Sequence, residues 1–347
     1  MAAKNFISIA TGSFGDIINM LSVSEELAAR GCQVDFVADR KYRELAQTKG
    51  MNFVDPGLPE SLLENNVTDV WRSSPPSARS FQNFYGEQQE QINSFAKQVC
   101  EKYDAVLLNG NMRMAAHTLD SLAMPTVVLL SEIIPLSEDQ FRVMNDSWQD
   151  RRGPLVVATY DKAFYDSRIP ANFSFAGFFC YDDESHEGIG DDTADVVVTL
   201  GSMQLADIGQ KLKSIDSALG DLGLSGLLIN SKGPFANEFD NLRCIERTPF
   251  SNLFPNVKAV IHHGAVGTIG HALASKKPSC VIPSLPLQRK WGEALASHGF
   301  ATMVDHDLDQ LAENLTAALD LDLVAGTDDV QMNGAKNTAT SILSNYG

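Results

Sequence analysis

Residues 259–283 read AVIHHGAVGTIGHALASKKPSCVIP. An apolar run of strand character ends in His262 and His263, and a loop of small residues carries Gly264 and Gly267. A helix-like pattern then begins near Thr268, and "SCVIP" returns as a second buried strand. Strand, loop, helix and strand in that order are the repeating unit of a parallel α/β sheet. At such a helix start the backbone N–H groups lack intrahelical acceptors and the dipole is positive, which makes the loop an anion site. Small residues let a phosphate approach the backbone, and a neighbouring histidine can donate a hydrogen bond to it. A plain turn is the competing reading, because Gly-rich turns between strand and helix are common. A metal is not expected: adjacent side chains on a strand point to opposite faces, and neither an HExxH pattern nor a neighbouring cysteine accompanies the pair.

The alternation extends outward from this stretch. Upstream lie "VVVTLGS", a helical pattern over 206–221, "GLLINS" and "LRCIERTP"; downstream come a helix over 288–298, "ATMVD" and a last helix over 333–345. The first half has the same rhythm in "FISIA", "INMLSVSEELAARG", "QVDFVAD", "KYRELAQTKG" and "NFVDPG", and later in "AVLLNG", "TVVLLS" and "LVVATY". Gly31 and Gly50 stand where helices stop. A polar, Gln-rich stretch over 59–102 interrupts it, carrying Trp71, Phe81, Phe84 and Tyr85. Residues 179–193, which take in most of the acidic run "CYDDESHEGIGDDTAD" (180–195), read as a linker between domains at 1–178 and 194–347. The fold class is α/β, two Rossmann-like domains facing across a cleft. In open parallel sheets ligands sit at the carboxyl ends of the strands.

Bulk properties narrow the partners. A chain of 347 residues exceeds one comfortable core, and 44% apolar with 20% charged residues suits two globular domains. With 27 basic against 44 acidic residues the net charge is −17, which repels phosphate backbones and anionic lipid, so no nucleic acid partner is expected. No apolar run reaches the length of a membrane span and no signal peptide is recognised, so the expectation is a cytoplasmic protein without membrane insertion. Five widely spaced cysteines without a CxxC pair read as reduced, mostly buried thiols.

The segment "ISIATGSFGDIINML", 7–21, sets Asp16 where the first strand hands over to the first helix. A carboxylate there stabilises a helix start in any protein, and it is equally placed to act as a base at a cleft. Position alone leaves both readings open.

These motifs, in their order, resemble those of the family 1 glycosyltransferases, which use UDP- or dTDP-sugars, in particular the bacterial natural-product enzymes of the GT-B fold. Residues 259–283 are similar to that family's HHGGAGT signature. "VVVTLGS" is similar to the opening strand of its donor domain, "RTPFSNLFP" (247–255) to the segment upstream of the signature, and "PSLPLQRKWGEALASHG" (283–299) to its continuation. "ATGSFGDIINMLSVSEELAARGCQVDFVAD" is similar to the family's amino terminus. The resemblance implies an inverting transfer of a sugar from a nucleoside diphosphate to a hydroxyl or amine of a small-molecule acceptor such as a secondary metabolite.

On that resemblance Asp16 is the general base, and the donor is held by Gly201, Ser202, Arg247, Thr248, His263, Gly264, Ala265, Val266, Gly267, Thr268, His271, Leu287 and Gln288. Candidates for the acceptor are Ser13, Phe14, Gly15, Phe84, Tyr85 and Trp148. No cofactor or metal is implied, a homodimer is admissible, and the last helix is expected to return to the amino-terminal domain. The chain departs from the pattern around the donor. Arg247 stands for an aromatic residue that stacks on the base, His271 for a carboxylate on the ribose, Leu287 for a carboxylate on the sugar, and Ala265-Val266 for Gly-Ala. Loss of a hydrogen-bonding carboxylate favours a deoxy- or amino-sugar over glucose. A sugar-nucleotide epimerase or hydrolase of the same fold, or a degenerate homologue acting as a partner protein, are the alternatives.

Overall fold

The computed structural model describes residues 4–55, 89–110, 116, 119–131, 154–165, 169, 172–182, 193–201, 208–229, 239–245, 248–304, 308–323 and 326–346. The chain divides into two compact units, one of Met1–Gly177 with Asn333–Gly347 and one of Phe178–Met332.

In the first unit the strands are β1 (Asn5–Ile9), β2 (Gln33–Val37), β3 (Asn52–Phe53), β4 (Ala105–Asn109), β5 (Thr126–Leu130), β6 (Leu155–Ala158) and β7 (Phe173–Phe175). They pair in parallel in the order β3-β2-β1-β4-β5-β6-β7, with Ile7 beside Asp35 on one side and Val106 on the other. The helices are α1 (Phe14–Ala29), α2 (Arg43–Thr48) and α3 (Gln89–Lys102). Ile7, Ile9, Val106 and Leu108 come from alternate strand positions and pack with Phe95, Ala96 and Val99 of α3. That alternation is why near-continuous apolar strands need a helical layer on each face.

The second unit contains β8 (Val196–Thr199), β9 (Gly226–Ile229), β10 (Leu242–Ile245), β11 (Ala259–His262), β12 (Ser279–Val281) and β13 (Ala301–Met303). All pair in parallel, in the order β10-β9-β8-β11-β12-β13. Its helices are α4 (Ile208–Asp221), the single turn α5 (Phe250–Leu253), α6 (Val266–Ala274), α7 (Pro286–Ser297) and α8 (Leu311–Leu319). Val196 and Val198 of β8 pack with Leu212 and Ile215 of α4 and Leu315 of α8. Val197, between them, packs on the other face with Leu253, Phe254 and Ala272.

Helix α9 (Gly334–Tyr346) returns to the first unit. There Arg30 of α1 donates to Thr340 Oγ1 at 2.9 Å and to the Lys336 carbonyl at 3.0 Å, and Tyr346 donates to the Thr126 carbonyl at 3.3 Å. The second unit opens at Phe178, where the sequence suggests a linker from 179; Phe178 and Phe179 are buried in it, and Phe178 stacks obliquely on Trp291. Strand β7 is a short edge strand that the sequence reading did not identify.

Each sheet reverses its strand order once, at β1/β4 in the first unit and at β8/β11 in the second. Carboxyl-end crevices at these reversals are where doubly wound sheets bind ligands. Asp16 lies just past β1, Gly201 just past β8 and His263 just past β11.

Candidate functional site

The loop after β11 is shaped by its own histidines. His262 is fully buried and its Nδ1 accepts the Gly264 N–H at 3.0 Å, which fixes the proton on Nε2. That N–H is buried with no hydrogen-bond partner among the described residues. His263 is 8% exposed, and its Nδ1 faces the Thr199 carbonyl at 3.4 Å. Burial, the largest cause, holds the His263 imidazole down to about 4; the nearby Lys211 ammonium adds to this and the Thr199 carbonyl opposes it. His262 is held down to about 3, again chiefly by burial and then by His263.

Gly264, at φ +91°, fits because a Cβ there would stand 2.7 Å from the Gln288 carbonyl oxygen. Its amide is committed to His262, so Gly264 contributes shape, whereas the sequence suggests an anion donor. Helix α6 starts after Ala265, which has no capping side chain. The Val266, Gly267 and Thr268 amides therefore occupy the first turn without intrahelical acceptors. Ala265, Val266 and Gly267 are partly exposed, so this uncapped helix start opens to solvent.

Around this loop, the Gln288 side chain is buried, and its Oε1 accepts the Ser284 and Leu285 amides at 2.8 and 3.0 Å. It thus caps α7 through this oxygen. Leu287 beside it is half-buried. His271 is 5% exposed, with Nε2 at 3.3 Å from the Tyr181 carbonyl and 3.7 Å from an Asp182 oxygen, and its ring meets Phe250 edge-on. Burial lowers its pKa while Asp182 and the Tyr181 carbonyl raise it. Asp182 also accepts the Phe250 and Ser251 amides, so His271 joins a packed corner. Thr248 is buried with Oγ1 unpartnered among the described residues. Ser202, Arg247, Phe84, Tyr85 and Trp148 lie outside the described residues.

In the first unit Asp16 sits in the first turn of α1, half-buried, and its Oδ2 accepts both the Ser13 N–H and the Ser13 hydroxyl at 2.8 Å. This is the carboxylate half of a capping box. Phe14 is half-buried and Gly15 exposed. The strand–helix turn is pinned from β4: Asn109 Oδ1 accepts the Thr11 N–H at 3.3 Å, and Asn109 Nδ2 donates to the Thr11 carbonyl. Asn109 and Lys211 were not singled out from the sequence. An Asn closing a strand and a Lys inside an amphipathic helix carry no local signal of what the topology brings beside them.

Among the described residues no group of three His, Cys, Asp or Glu could hold a metal ion, and no helix is long and apolar enough to cross a membrane.

No protein-family model matches the chain. A sterol 3-beta-glucosyltransferase of Arabidopsis thaliana is 28% identical over 128 residues, 36% of this chain and 21% of the plant protein, so the match spans about a fifth of that relative. The glycosyltransferase of kitacinnamycin superposes with a TM-score of 0.79 at 13% identity, over 100% of both chains. The spinosyn rhamnosyltransferase SpnG superposes at 0.73 with 15% identity, over 98% of this chain and 100% of its own. It has also been solved with thymidine diphosphate and with spinosyn aglycone. The chain thus has the two-domain GT-B fold, and the relatives and structural neighbours that resemble it are family 1 glycosyltransferases.

Proposed function

We propose that the protein is an inverting glycosyltransferase that moves a sugar from UDP or dTDP to a hydroxyl or amine of a small-molecule acceptor. The observation that carries this reading is the uncapped, small-residue start of α6 at the β8/β11 reversal, beside His263 and Gly201. A diphosphate accepts from the Val266, Gly267 and Thr268 amides, which stabilise the charge that develops as the anomeric C–O bond breaks. Asp16 takes the acceptor proton while the acceptor oxygen forms the new bond to the anomeric carbon, and the nucleoside diphosphate leaves. For His263 Nε2 to donate to that anion, the ring must change tautomer or take up a proton, which the anion itself favours. The thymidine diphosphate complex of SpnG supports a thymidine donor, and Leu287 in place of a sugar-reading carboxylate supports a deoxy- or amino-sugar. The reading places the protein in the cytoplasm, with no metal.

The test is a thermal-shift panel of uridine, thymidine, guanosine and adenosine diphosphates with their sugars. Ligand that binds the native state raises the melting temperature by mass action. Selective stabilisation by a uridine or thymidine compound is expected; a purine nucleotide winning contradicts the reading. A second reading, a degenerate partner protein, draws on Asp16 acting as a cap to Ser13 and on His271 being held in its packed corner. Stabilisation by nucleotide sugar with no turnover of it would favour that alternative.

A further inference from the structure

The second unit contains a buried cation that the mechanism above does not use. In α4 the buried positions are Lys211, Leu212, Ile215, Ala218 and Leu219. The spacing 211, 215, 218 is the inward stripe of an amphipathic helix, where an apolar residue is the ordinary occupant. Lys211 fills the first of these positions, is 9% exposed, and stands in the first turn of the helix that follows β8. Its Nζ donates to Ser284 Oγ at 2.8 Å. The Ser284 amide donates to Gln288 Oε1, and the Gln288 backbone oxygen is what Gly264 packs against. Lys211, Ser284, Gln288 and Gly264 thus form one run of contacts at the carboxyl edge of the sheet, ending in the loop that opens α6. The influence of Lys211 on His263 places the ammonium in the same field.

We propose that Lys211 supplies the positive charge of the donor site, recognising the diphosphate of a nucleoside diphosphate sugar jointly with the start of α6. This rests on the donor-site reading above. An anion that enters beside a helix start is stabilised by the helix dipole, and a neighbouring ammonium adds to that attraction. Burial and the bond to Ser284 restrain the Lys211 side chain, so less side-chain entropy is lost on binding than from an exposed lysine. The overall charge of −17 gives such a local cation a further purpose, since the protein as a whole repels the ligand.

The experiment is calorimetric titration of UDP and dTDP into wild type, Lys211→Met, Lys211→Arg and Ser284→Ala, with uridine and thymidine followed by saturation-transfer NMR. Wild type is expected to bind at least one diphosphate. Lys211→Met should weaken it about tenfold to a hundredfold, the range of a lost charge-assisted hydrogen bond, with the nucleoside signal unchanged. Lys211→Arg should recover most of the loss. Equal affinity in Lys211→Met overturns the proposal, and so does an equal loss for nucleoside and diphosphate, which marks a purely structural lysine. If circular dichroism shows Lys211→Met unfolded, Ser284→Ala decides: a severalfold loss for the diphosphate alone supports the proposal, and unchanged affinity overturns it. Wild type that binds neither diphosphate removes the underlying donor-site reading, a result seen before any variant is made.

Discussion

Gly201 lies against the imidazole of His263 so closely that a Cβ on the glycine would stand 2.8 Å from both Cε1 and Nε2 of the ring. Gly201 also has φ +83°, a conformation that side chains resist. Gly201→Ala therefore strains the backbone and pushes the His263 ring from its place. Loss of about 1–3 kcal/mol in urea unfolding is expected, together with weaker binding of whichever nucleoside diphosphate the wild type takes. Wild-type stability in this variant would contradict the close packing.

The buried histidines set a pH dependence. The His262 and His263 values of about 3 and about 4 lie below the ordinary imidazole value near 6.5. The unfolded chain therefore binds more protons than the native state between those limits, and stability rises with pH there. Their contribution is complete above pH 6.5, declines as pH falls toward the folded values, and is gone below them. Each group contributes a slope of up to about 1.4 kcal/mol per pH unit. Unfolding free energies at pH 7, 6 and 5 should fall in that order, and His263→Gln should flatten the decline. An unchanged slope in that variant would show that His263 is not the buried neutral base described.

Much of the fold was legible because each strand is an apolar run too short for a buried helix, and each helix carries its own stop or spacing. Residues 196–199, 259–262 and 279–281 became strands as read, and the helix expected near Thr268 starts two residues earlier, at Val266. Strand β7 escaped because three residues at a sheet edge give no periodicity to detect. The geometry of the candidate site was legible only where the chain itself brings residues together, as in the loop from His262 to Thr268. Asn109 is 98 residues from Thr11, and Lys211 is 73 from Ser284, so only the folded sheet could reveal those pairs. His271 illustrates a different limit: its matched position in the motif gave no sign that Tyr181 and Asp182 would hold it.

Asn109 serves both backbone groups of Thr11, and both residues are buried. Asn109→Ala removes two hydrogen bonds to the buried backbone of the turn that carries Asp16, with an expected cost of about 1–3 kcal/mol. Asn109→Asp keeps the acceptor but sets a carboxylate oxygen against the Thr11 carbonyl, so it should be no better at pH 7. Chemical denaturation of the two variants checks this; a change of less than about 0.5 kcal/mol in both would exclude the clamp.

Capping and catalysis by Asp16 separate in a pair of substitutions. Asn at position 16 retains an oxygen for the Ser13 amide and hydroxyl, whereas Ala retains none. Asp16→Ala should lose about 1 kcal/mol of stability and Asp16→Asn much less. If Asp16 is the base, both should lose about a hundredfold to ten-thousandfold in sugar transfer. Transfer by Asp16→Asn at the wild-type rate would leave the residue a cap alone.

The central claim, a diphosphate held at the start of α6, is tested most directly by a crystal structure of the protein with dTDP or UDP. The account predicts phosphate oxygens within hydrogen-bond distance of the Val266, Gly267 and Thr268 amides, with His263 beside them. A nucleotide bound elsewhere, or that helix start blocked by protein side chains, would contradict it.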